Sequence, residues 1–154
     1  MRRIFTACAF GALLAFPVAG AAAPRDNGTL SVKNATASIS FAARGAILGH
    51  CDRCTVWIDD PNPADGAPPV VMPLGVQRTQ LSDTKANYVG NDLRFKVIGG
   101  FFRVKVIGTG IDLSVVASGS AVLDGEGTGS GTYSIDGDSF SSLPGFRLPL
   151  HLGG

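Results

Sequence analysis

Between Leu93 and Val106 apolar and polar side chains alternate, with Leu-Arg-Phe-Lys-Val-Ile before a diglycine and Phe-Phe-Arg-Val-Lys-Val after it. A period of two is the signature of a strand with one buried face. Gly99-Gly100 readily adopts the positive φ angles of a two-residue turn. The stretch therefore predicts a β-hairpin in which Ile98 opposes Phe101, Lys96 opposes Arg103 and Arg94 opposes Lys105. In that register Leu93, Phe95, Val97, Phe102, Val104 and Val106 face a core, while Arg94, Lys96, Arg103 and Lys105 gather on the opposite face.

The rest of the chain is built from short runs of Val, Ile, Leu and Phe separated by turn residues, with 21 glycines and nine prolines in 154 residues and no 3.6-residue periodicity. This predicts an all-β fold, an antiparallel sandwich or flattened barrel. Laid over itself at an offset of 65, the chain matches Ile39 with Val104, Phe41 with Val106, Gly45 with Gly110 and Asp59 with Asp124. The matched segments, about residues 30–60 and 93–125, read either as an internal duplication or as the chance recurrence of glycine and apolar positions common in β proteins. Asp59 to Ala67, rich in Pro, Asn and Gly, predicts an exposed loop, and Gly125 to Gly131 a flexible turn or bulge before a strand at Thr132 to Ile135. Phe146 to Leu150 predicts a closing strand that Pro149 confines to an edge.

The N-terminus changes the picture by placing the domain. Arg2 and Arg3 precede an apolar run from Ile4 to Val18, and Ala19-Gly20-Ala21 has the small residues of a cleavage site. Residues 1–21 are expected to be a signal peptide and residues 22–154 one all-β domain, secreted, periplasmic or otherwise extracytoplasmic. No later apolar run approaches the roughly 18 to 20 residues of a spanning helix, so no transmembrane segment is expected in the mature chain. The formal net charge of +1 includes the two leader arginines, and this balance implies no affinity for nucleic acid.

Candidate chemistry is sparse. Cys51 and Cys54 are the two cysteines left after cleavage, and in an exported protein the economical reading is a local disulfide pinning a turn before the strand that contains Trp57. The competing reading is a thiol-disulfide redox pair, which would need a thiol of lowered pKa such as a helix N-terminus provides, whereas the flanking residues read as strands. His50 beside the cysteines lacks the second paired knuckle of a structural zinc site, and no metal or other cofactor is expected. Gly137-Asp138-Ser139 reads as a turn and no catalytic residue is assigned.

The basic face is the more informative feature. Two like-charge pairs directly opposed on a hairpin destabilise it slightly, so something should offset them. Acidic neighbours such as Asp92 and Asp112 are one such offset. An anionic partner is the other: a cell-envelope polymer, a polysaccharide or lipid headgroups held by Arg94, Lys96, Arg103 and Lys105, with Ile98 and Phe101 adding apolar contact at the hairpin tip. Trp57, Tyr88 and Tyr133 form an alternative sugar-stacking set, although a solitary Trp in an apolar strand is more often core. The expected function is thus a secreted, non-enzymatic binding or structural module. The alternative is a small exported enzyme or redox protein using Cys51 and Cys54.

Overall fold

The computed structural model describes residues 26–73 and 76–154; the expected signal peptide and its cleavage point lie outside the described residues. Of the described residues 75% are in strands and none is in a helix. The strands are β1 (Gly28–Asp59), β2 (Ala67–Met72), β3 (Gln77–Gln80), β4 (Lys85–Asp124), β5 (Ser130–Ile135), β6 (Ser141–Ser142) and β7 (Leu148–Leu152). They form one antiparallel sheet in the order β2-β4-β1-β5-β6, with β3 and β7 also on β4, and the sheet is not closed. The all-β antiparallel class expected from the alternation is what forms. β5 covers the strand expected at Thr132 to Ile135, and β7 is an edge strand in which Pro149 pairs with Val122.

The two segments that match each other in sequence become the two long strands, and each runs beside the other twice. One β1–β4 ladder passes from Gly28 opposite Ala117, through Phe41 opposite Val104, to Asp59 opposite Lys85. A second joins the other edge of β1 to β4, from Ser38 opposite Asp124 to Asp59 opposite Arg103. Residues Ser38–Asp59 therefore have β4 on both sides, an arrangement that requires the ribbon to curl. Their inward side chains meet in one core containing Leu30, Ile39, Ile47, Val56, Phe102 and Leu123. Burying a side chain of this size contributes roughly 1.5–3 kcal/mol.

The expected hairpin is not formed. β4 runs without reversal through Gly99-Gly100, and its partner on both sides of the diglycine is β1: Arg44 opposes Phe101 and Ala46 opposes Ile98. One residue of β1, Gly45, thus faces two of β4, which is a β-bulge. A Cβ on Gly45, whose φ is 148°, would stand 2.3 Å from the Val116 carbonyl oxygen, so only glycine fits. The bulge resets the side-chain phase. Leu93, Phe95 and Val97 before it and Phe102, Val104 and Val106 after it are all buried, as the alternation predicts. Asp65, in the loop after β1, covers the bulge: its Oδ2 accepts from Arg44 Nη2 at 2.6 Å and from the Phe101 amide at 3.4 Å.

Cys51 and Cys54 also sit within a strand instead of at a turn. Their sulfur atoms are at bonding distance, their Cα atoms are 6.0 Å apart, and both residues are buried in the core. The β1 ladder opens between them at Asp52, where the facing positions are Asp92, with φ 48°, and Gly110, with φ 61°.

Candidate functional site

Five neighbouring strand segments build a concave trough of about 750 Å³ on the sheet. They are the start of β1, residues 112–114 of β4, residues 48–50 of β1, residues 94–96 of β4, and the end of β2. Register fixes which side chains lie abreast. One row across the strands is Ser31, Ser114, Leu48, Lys96 and Val70. The next, two residues along, is Asp112, His50, Arg94 and Met72. Lys33 lines the same trough from the first segment. Below the surface, Gly49 leaves room for buried side chains: a Cβ there would lie 2.2 Å from the Phe95 ring and 2.9 Å from Leu113 Cδ2, and both would have to shift.

The charged row is internally organised. His50 Nε2 lies 2.8 Å from Asp92 Oδ1, and His50 Nδ1 lies 3.6 Å from Asp112 Oδ2. Arg94 Nη2 is 3.6 Å from the same Asp92 oxygen. The hydrogen bond with His50, followed by the Arg94 charge, holds the Asp92 carboxyl below its ordinary value. Asp112 Oδ1 accepts from the Asn34 amide at 2.9 Å, which ties this row to a kink where Asn34 has φ 47°. Lys96, by contrast, has no carboxylate within 4.0 Å among the described residues.

The six residues expected to form one binding face are divided by the bulge. Arg94 and Lys96 line the trough, and Ile98 is exposed at its end, opposite Ala46 and Ala67. Phe101 is half-buried beside the bulge. Beyond it, Arg103 approaches Asp59 at 3.4 Å with its guanidinium 5.7 Å from the Phe101 ring, and Lys105 lies 5.9 Å from the Trp57 ring. The like-charge pairs expected of a hairpin do not occur. Lys96 stands between Leu48 and Val70, and Lys105 between Ser40 and Trp57. Of the two acids named as offsets, Asp92 does meet Arg94, whereas Asp112 serves His50.

Trp57 is half-buried on the outer face, contrary to the core position expected for it. Tyr88 and Tyr133 pack against the core, so the three aromatics do not converge on a sugar platform. Leu48, Val70, Met72 and Lys33 were not legible as site residues, because they come from separate segments that only the strand register brings abreast. No protein-family model, curated protein or solved structure matches this chain.

Proposed function

We propose that this chain is an extracytoplasmic, non-enzymatic binding module that holds an anionic, partly apolar partner of lipid character on the outer face of its sheet, at Arg94 and Lys96. The observation that carries the reading is the position of Lys96. It is a cation without a carboxylate partner among the described residues, flanked across the ladders by the exposed Leu48 and Val70. Cations interleaved with exposed apolar side chains suit a headgroup with attached hydrocarbon better than a wholly polar polymer. The trough also has the size and mixed lining of a ligand site.

Export is supported by the leader pattern and by the buried cysteine pair. The same burial argues against a thiol-exchange role, since attack requires access to a sulfur atom. Retention of the mature protein on phosphatidylglycerol vesicles at low salt tests the reading. Arg94→Glu with Lys96→Glu should abolish retention, and Arg103→Glu with Lys105→Glu, beyond the bulge, should leave it. Unchanged retention by a folded Arg94/Lys96 variant would reject the proposal, as would loss confined to the Arg103/Lys105 variant.

A further inference from the structure

The rows of side chains across the trough differ in polarity, and the difference has a direction. At one end lie Asp112, His50, Arg94 and Met72, three of them ionisable. The middle row alternates, with Leu48 and Val70 on either side of Lys96. The row beyond it is Thr29, Val116, Ala46, Ile98 and Ala67, with no charge at all. In that last row Val116 is 45% exposed and Ile98, next to the bulge, is 37% exposed, although both are apolar. Successive rows on one face are two residues apart, so the passage from charged to apolar takes roughly 13 Å along the strands.

We infer that the site takes one molecule of a single-chain anionic amphiphile, of the fatty-acid class, with its head at Arg94 and Lys96 and its tail along Leu48, Ala46, Ile98 and Val116. This rests on the proposed binding role and narrows it to a ligand and an orientation. Three features favour a captured molecule over a docked bilayer. The charged and middle rows line a concavity that can seat a single head with the start of its tail, whereas membrane-inserting surfaces project their apolar side chains outward. The part of the site that receives the head and the start of the tail, between Arg94, Lys96, Leu48 and Val70, has a volume of about 750 Å³, within the range of small-molecule sites, and the apolar row lies just past its end. The charged end is also mixed: Asp92 and Asp112 stand beside the cations, which suits one anionic head but opposes a continuous sheet of anionic headgroups.

The polarity gradient makes each half of the ligand necessary. Arg94 and Lys96 attract the carboxylate, and burial of hydrocarbon against Ile98 and Val116 supplies the rest of the affinity. Removing either half of the ligand, or either end of the gradient, should weaken binding separately.

The test is calorimetric titration of the mature protein with dodecanoate below its micelle concentration, run beside the phosphatidylglycerol vesicle assay. Dodecanoate should bind one molecule per chain, and butanoate and dodecanol should each bind at least roughly tenfold more weakly. Ile98→Asp should weaken dodecanoate by a similar factor, with Val116→Asp as the second variant should the first fail to fold by circular dichroism. Vesicle retention that depends on Arg94 and Lys96 without stoichiometric dodecanoate uptake would overturn this inference and leave the binding role standing. Absence of both would overturn the two together, and dodecanoate binding indifferent to Ile98→Asp and Val116→Asp in folded protein would overturn the placement of the tail.

Discussion

Gly66 and Gly100 meet backbone to backbone: a Cβ built on Gly66 would stand 2.3 Å from the Gly100 amide nitrogen. The contact seats the loop after β1 directly on the bulge, where Asp65 accepts from Arg44 and from Phe101. Gly66→Ala should therefore force the loop off the bulge and destabilise the protein by about 1–3 kcal/mol in urea unfolding. Gly90→Ala is the control, because its nearest neighbours would lie at 3.6 Å, an ordinary contact. That change should stay within about 0.5 kcal/mol. Equal effects of the two substitutions would contradict the close approach.

The bulge also has a spectroscopic consequence. In the continuous strand Lys96 lies opposite Leu48 on one side and Val70 on the other, whereas a hairpin at the diglycine would set it against Arg103. Nuclear Overhauser contacts in labelled protein should link Lys96 to Leu48 and Val70 and should not link it to Arg103. A Lys96–Arg103 contact would restore the hairpin and remove the register on which the trough depends.

These two arrangements explain what could be read from the residues alone. Val97 and Phe102 are five positions apart, an odd spacing, so an uninterrupted strand would send one of them outward. A two-residue hairpin turn and a one-residue bulge both correct the phase, and both favour glycine. Alternation could therefore identify the inward set from Leu93 to Val106 while leaving the choice of partner strand open. The partner is β1, whose assignment depends on contacts distant in sequence. Lys33, Leu48 and Val70 reach the trough by the same long-range pairing, which no local motif records. Trp57 was misplaced for a related reason: its strand is apolar overall, but its position falls on the outward phase, between Val56 and Ile58, both buried.

A further prediction concerns Asp60, which is 7% exposed and has no hydrogen-bond partner at Oδ1. Burial first, and then the charges of Asp65 and Asp59, push its carboxyl above the ordinary value of 3.8, against a partial lowering by the Asn62 amide. The folded state thus holds this proton more tightly than the unfolded chain. Stability associated with Asp60 is fully present below about pH 3.8 and falls as pH rises through the folded-state value. Asp60→Asn should accordingly raise the thermal midpoint at neutral pH, with the advantage shrinking at about pH 3. A difference that does not change between the two pH values would assign the effect to packing instead of ionisation.

The mutual flanking of β1 and β4 bears on how the chain reaches its native state. During synthesis all 32 residues of β1 are joined before Lys85, the first residue of β4, is added, and most of β4 follows later still. A nascent segment of that length, with hydrophobic residues at alternate positions and nothing to pair with, resembles the exposed edges that recruit other chains into aggregates. Because its native neighbours are distant in sequence, closure belongs to the slow regime of milliseconds to seconds. The interval between the two strands is thus the stage at which an unpaired β1 is open to other chains, and shielding it during that wait should raise soluble yield.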